Sequence, residues 1–122
     1  MVTIAFSDFE KVDLRVGLVL ESSIPEESEK LIKLSVDFGD PSTGSGREVR
    51  TIFTGLQSWY EPDFFQGKNF IFVYNLEPKK MMGEESQGML LSVHVEDDEK
   101  PTEGKPIPVE APLGSNPGQK LT

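Results

Sequence analysis

Five short β-prone runs, separated by turn-forming residues and interrupted once by a helical signal, constrain this chain more than any other feature. The first, residues 13–20 (DLRVGLVL), puts Leu14, Val16, Leu18 and Leu20 on one face with the period of two that marks a strand. Gly17 inside it predicts a bulge or a strong bend, which a small barrel needs. The second run is 31–38 (LIKLSVDF) and the third 47–54 (REVRTIFT), with a flexible hairpin loop expected at 39–46 (GDPSTGSG). Residues 61–65 (EPDFF) predict a short helix with proline in its first turn. The fourth run, 68–75 (KNFIFVYN), is rich in aromatic and β-branched residues, and 88–95 (GMLLSVHV) is the fifth. Ahead of them all, Ser7 and Glu10 fit a capping box and predict a helical turn over 7–12.

Five strands with one short helix between the third and fourth is the order of an OB-fold, a partly open Greek-key barrel that often binds nucleic acid. The expectation is therefore an all-β, five-stranded OB-fold barrel. Residues 1–122 form one domain in this reading, with 7–95 as the barrel. Residues 96–122, punctuated by five prolines, read as an extended C-terminal arm with a short strand near 107–110. A chain of 122 residues is long enough to build one core without staples. It has no cysteine, which excludes a disulfide framework and a thiolate metal site. No apolar run approaches the roughly 20 residues that span a bilayer. The first residues lack the basic start of a signal peptide, so a cytoplasmic location is expected.

Residue chemistry argues against an enzyme. His94 is the single histidine and sits in a strand run, with no second histidine or cysteine to complete a zinc set. It reads as a strand residue facing solvent or a neighbour. The acidic run 96–99 lacks the glycine-turned alternation of a calcium loop. No phosphate-binding loop, dinucleotide fingerprint or nucleophile elbow is present, and no catalytic group, metal or cofactor is expected.

Residues 75–91 (NLEPKKMMGEESQGMLL) are the strongest candidate for function. They read as a strand end, a functional loop and the start of the next strand. Such a loop offers cations for phosphate, small polar groups for base edges or ribose, and a flexible apolar side chain for stacking. Lys79 and Lys80 reach phosphate oxygens from a turn, or are simply solvated there. Ser86 and Met89 flank Gly88 and suit a 2′-OH and a base face, or a polar strand start and a core methionine. Asn75 either caps a turn or reads a base edge. Trp59 and Tyr60 either stack on bases or wedge the short helix against the barrel. Against all this stands the charge: 12 Lys and Arg against 21 Asp and Glu give −9. A local patch can still capture phosphate on an acidic protein, so binding is expected through a small patch, with Lys30 and Lys33 as further cations.

Taken together, DFEKVDLRVG (8–17), SEKLIKLSVDFG (28–39), YEPDFFQGK (60–68), the 75–91 segment and PLGSNPGQKL (112–121) resemble the tRNA-binding domain family. That family includes stand-alone structure-specific tRNA-binding proteins and the C-terminal module of methionyl-tRNA synthetases. The resemblance implies a non-catalytic OB-fold whose C-terminal extension helps build a homodimer. It implies tRNA as partner, bound by shape at the outer corner of its L, and an aminoacyl-tRNA synthetase as a further partner. Carried over by motif, the tRNA contacts are Lys30, Asn75, Ser86 and Met89, with Lys33, Lys79 and Lys80 as phosphate neighbours. Glu77 stands where the family more often has lysine, and Glu84 and Glu85 add negative charge beside the site. Each lost phosphate contact flattens the salt dependence and lowers affinity. The alternative is a protein-interaction module, or a relative of CsaA-type export chaperones, on the same fold. Those chaperones have a different segment where this chain has 75–89.

Overall fold

Alternate burial along the strands decides which residues fill the barrel and which clothe it. The structure is a computed structural model describing residues 1–39, 48–96, 99 and 104–122. Its strands, in chain order, are β1 (Leu14–Ser23), β2 (Ile32–Asp37), β3 (Val49–Thr54), β4 (Asn69–Val73), β5 (Lys79–Met81), β6 (Glu84–Ser86), β7 (Met89–Leu90), β8 (Ser92–Val95) and β9 (Lys105–Pro108). β3, β2, β1, β4 and β7 make one antiparallel sheet in that order. The sheet curls until β3 meets residues 86–88. There Gln87 N–H donates to Thr51 O at 2.8 Å, and Phe53 N–H donates to Ser86 Oγ at 3.0 Å. The result is the all-β, nearly closed five-stranded barrel of an OB-like fold, as its strand order predicts. Residues 40–47, 97, 98 and 100–103 lie outside the described residues, and with them most of the hairpin loop expected at 39–46, Arg47 of the third run, and Asp97 and Asp98 of the acidic run.

Gly17 does a different job from the one its position suggests. The register slips between Val19 and Glu21, so the bulge sits beyond Gly17, which stays paired opposite Phe70. A Cβ at Gly17 would lie 2.5 Å from Val36 Cγ1, 2.8 Å from Phe72 Cδ2 and 2.9 Å from Phe38 Cε1. The missing side chain lets these three meet inside the barrel. Val19, Leu34 and Ile52 join them in the core. Residues of the opposite parity on β1, the Leu14–Val16–Leu18 row, therefore face outward. Val16 is nonetheless buried, as is Ile71 directly opposite on β4. Val109 and Leu121 of the C-terminal arm border this outer apolar layer. The arm holds on through its backbone: Val16 N–H to Gln119 O at 2.9 Å, Leu121 N–H to Leu14 O at 2.9 Å, and Ile71 N–H to Val109 O at 2.9 Å.

Two local expectations change, and the helix after the third barrel strand stands where it is expected. The fifth run splits: β7 pairs with β4, and Ser92–Val95 leaves the barrel to pair with β9 in a separate ribbon. Arm strand β9 supplies the partner that draws it away. The early helix is Phe6–Phe9, capped by Ala5 with no side-chain bond. Ser7 lies inside it, where a helical residue cannot act as the cap. The helix between the third and fourth barrel strands is a single 3₁₀ turn, Pro62–Phe64, with proline leading it. Its aromatic residues close one end of the barrel. Tyr60 stacks on Phe64 at 4.6 Å between ring centroids, and fully buried Phe65 lies 5.6 Å from Phe70. Trp59 stays exposed while Tyr60 forms the wedge. His94 is exposed on β8. Among the described residues no helix is long and apolar enough to cross a membrane.

Gly17→Ala should destabilise the fold by about 1–3 kcal/mol, the cost of overpacking a filled core. Urea unfolding checks this, and an unchanged midpoint would show that the core yields there.

Candidate nucleic-acid interface

The segment expected as a loop after β4 is instead a tight hairpin. Met82 and Gly83 both take positive φ, 50° and 80°, the signature of the two-residue turns whose twist matches paired strands. Glycine supplies that conformation without cost, whereas Met82 carries a side chain through it. The turn sets the register: Lys79 opposite Ser86, Lys80 opposite Glu85, Met81 opposite Glu84. β6 then runs into the seam that closes the barrel on β3.

That seam defines the surroundings of Ser86. The residue is 4% exposed; its Oγ accepts from Phe53 N–H at 3.0 Å and donates to Gly88 O at 3.4 Å. The hydroxyl faces β3 and holds the hairpin on the barrel. Gln87 extends the seam by accepting from Thr51 N–H at its Oε1, 3.1 Å away. Lys33 lies opposite Phe53 in the β2–β3 ladder, beside the same seam. Its Nζ reaches Glu84 of the hairpin, 2.9 Å from Oε1 and 2.9 Å from Oε2.

The other candidates spread outward from Ser86. Lys30 is exposed on the loop before β2, and its carbonyl accepts from Gln57 N–H at 3.2 Å. Gln57 steadies that loop by donating Nε2–H to Ser28 O and Leu31 O at 3.0 and 2.8 Å. Asn75 lies towards the other end of β3. It is exposed, yet its amide clamps the strand that precedes β1, accepting from Asp13 N–H at 2.8 Å and donating to Lys11 O at 2.6 Å. Met89 is 45% exposed on β7, opposite Val73 and on the outward face. Lys79 and Lys80 are exposed on the hairpin. The structure thus gathers Ser86, Lys33 and the hairpin that carries Lys79 and Lys80 beside Phe53, near the C-terminal end of β3. Lys30 and Asn75 lie towards opposite ends, and the four residue steps from Arg50 to Thr54 cover about 14 Å.

Sequence reasoning passed over the group next to Asn75. Two guanidinium groups lie over the Tyr74 ring, Arg15 at 4.0 Å and Arg50 at 3.7 Å from its centroid. Asp13 holds Arg15 at both ends, Nε to Oδ1 at 3.0 Å and Nη2 to Oδ2 at 2.9 Å. Glu48 takes Arg50 Nε on one oxygen and the Tyr74 hydroxyl on the other, each at 2.5 Å. Arg50 Nη1 donates to Tyr74 O at 2.6 Å, tying β3 to the end of β4. Cation–ring contacts of this kind are worth about 0.5–2 kcal/mol each, more as water is excluded. The array plugs the barrel end opposite the aromatic cluster. The one available signal was parity: Arg15 and Tyr74 continue the inward rows 15–17–19 and 70–72–74. An open groove of about 630 Å³ runs past Arg50, Asn75, Leu76, Glu77 and Gln87.

The array also moves its protonation equilibria. The bond to Asp13 raises the Arg15 pKa against the opposing effect of burial. Burial pushes the Glu48 carboxyl up, but the Tyr74 hydroxyl and Arg50 outweigh it and hold the group below its ordinary value. Burial, then the bond to Glu48, pushes the Tyr74 phenol up.

A barrel of this strand order belongs structurally to the OB-like class. Residues 14–119 match the family described as "Putative tRNA binding domain". The chain belongs to this tRNA-binding domain family. The methionine–tRNA ligase of Deinococcus radiodurans is 42% identical over 95 residues, covering 78% of this chain and 13% of that protein. The chain thus spans about an eighth of that relative's length. A MetRS-related protein from Pyrococcus horikoshii matches over 100% of both chains, with a TM-score of 0.83 and 38% identity. The chaperone CsaA of Bacillus anthracis matches 99% of this chain and 100% of its own, with a TM-score of 0.79 at 23% identity, a likeness of fold alone.

Ser86→Ala should cost about 1–3 kcal/mol of stability, because the buried Phe53 N–H loses its acceptor; urea unfolding measures it. The Glu48 carboxylate should make the fold acid-sensitive. Its folded pKa is depressed, so the stability it contributes is present above the ordinary value of 4.5 and is lost as pH falls through the lower folded value. Glu48→Gln should flatten the fall in the urea midpoint between about pH 5 and pH 3; an unchanged slope would remove Glu48 from the account.

Proposed function

We propose that this chain is a non-catalytic tRNA-binding module that acts as a homodimer in the cytoplasm, alongside an aminoacyl-tRNA synthetase. One observation carries the reading: in a member of the tRNA-binding domain family, a cation-bearing hairpin and Lys33 meet on β3, with Lys30 further along it. Lys30, Lys79 and Lys80 supply phosphate contacts, with Lys33 beside them. Met89 offers a flexible apolar face to a base. Asn75 stands at the rigid end of β4, with its amide already committed to the strand before β1. Ser86 contributes through the hairpin it holds in place. Recognition is by the shape of the RNA, since most of these groups suit phosphate and ribose more than base edges.

The dimer reading draws support from apolar surface near the chain ends. Ile4, Phe6 and Phe9 are exposed, and Phe6, Phe9, Val12, Leu14 and Leu121 border one shallow depression. The net charge of −9 favours the alternative, a protein-interaction module with little RNA binding.

Fluorescence titration with total tRNA at low and moderate salt tests the proposal. Binding at micromolar protein is expected, weakening as salt rises. Lys30→Ala should lower affinity and flatten the slope of log K against log salt by about 0.7–0.9, one phosphate contact. Met89→Ala should weaken binding with the unfolding midpoint unchanged. Light scattering on the same samples should give the mass of a dimer. Absence of tRNA binding at micromolar protein, with capture of protein partners free of RNA, would replace this reading with the alternative.

A further inference from the structure

We infer that Glu84 is an affinity-setting residue of the RNA site, a carboxylate that occupies Lys33 where a phosphate would otherwise sit. The inference rests on the tRNA reading and adds to it a competitor built into the chain. Both carboxylate oxygens of Glu84 lie 2.9 Å from Lys33 Nζ. A phosphate presents the same geometry, two charged oxygens to one ammonium. The two residues are 51 apart in sequence, so only the hairpin brings them together. Their side chains are 32% and 49% exposed, so the pair is open to solvent and to exchange with another anion.

The hairpin register fixes the competition. Glu84 is opposite Met81, at the turn end of the ladder, while Ser86 at the other end is fastened to β3. The carboxylate is therefore delivered to Lys33 by the same seam that closes the barrel. An RNA phosphate reaching Lys33 has to displace Glu84, and the displaced carboxylate remains beside it as a like charge. Lys33 consequently gives little net attraction at rest, whereas Lys30, Lys79 and Lys80 have no ion pair among the described residues. This accounts for an acidic residue beside a phosphate site without requiring the site to be lost: affinity is held down, and RNA that also engages the outer lysines is retained.

Glu84→Gln keeps the size of the side chain and removes the charge at an exposed position. tRNA affinity should rise about two- to fivefold at low salt, the range exposed ion pairs of this kind carry. The salt slope should steepen by about 0.7–0.9, the signature of one regained phosphate contact. Neither change should appear when Glu84→Gln is made on top of Lys33→Ala, because the effect runs through that lysine. Circular dichroism and the urea midpoint confirm that each variant folds. Equal binding by wild type and Glu84→Gln would overturn the inference and leave the tRNA reading standing. A gain that persists in the double variant would overturn it too, since general charge removal would then suffice. Failure of both wild type and Glu84→Gln to bind tRNA at micromolar protein would overturn the tRNA reading itself. Binding by Glu84→Gln alone would support the role of Glu84 and overturn tRNA binding by the unsubstituted chain.

Discussion

The barrel depends on the absence of a side chain at Gly17. Val36, Phe72 and Phe38 converge on the space its Cβ would take, so side chains from both sides of β1 meet over its backbone. Phe38 then meets Phe72 and Tyr74 edge-on, at 5.5 and 5.1 Å between centroids. From that contact the interior grows in two directions. Towards the 3₁₀ turn it ends in apolar rings, Phe70, Phe65 and Tyr60. Towards the start of β1 it ends in Tyr74 between Arg15 and Arg50, each held by a carboxylate. Asn75, one residue beyond Tyr74, is held at this end by its own bonds to Asp13 N–H and Lys11 O.

The acidity of the chain looks different once neighbours are known. Asp13 and Glu48 serve the plug, where each aligns a guanidinium over Tyr74. Glu84 lies on Lys33, and Glu85 stands across the ladder from Lys80. Asp13, Glu48 and Glu84 are committed to particular cations, and net charge describes them poorly. What remains exposed along β3 is a modest set of lysines. Such a surface offers few cations to a phosphate backbone.

Much of the architecture was legible in local pattern. The first four barrel strands lie within or next to the runs their composition marks, and the proline at 62 opens a turn where proline is favoured. Errors arose where distant partners compete. Residues 88–95 read as one strand because alternation continues through Ser92, but β9 takes the second half into another sheet. Ser7 and Glu10 have capping-box spacing, yet the helix begins at Phe6. The row Leu14–Val16–Leu18 announces a strand correctly and conceals its orientation. It faces outward because the C-terminal arm buries Val16 from that side. Among candidate contacts, the sequence pointed to Ser86, Lys33 and the hairpin lysines, but it gave no hint that Ser86 bonds Phe53 N–H or that Lys33 meets Glu84.

Sequence alone determined the first four barrel strands and the family, because strand period, turn residues and the ordered motifs from residue 8 to 121 are properties of neighbouring residues. Tertiary structure decided which face of β1 is inside, how 86–88 closes the barrel, and which cations are already paired. The physical reason is range. Backbone preference acts over a few residues, whereas ion pairs and packing act over a few ångströms between residues that folding brings together, as with Lys33 and Glu84 or Arg15 and Tyr74.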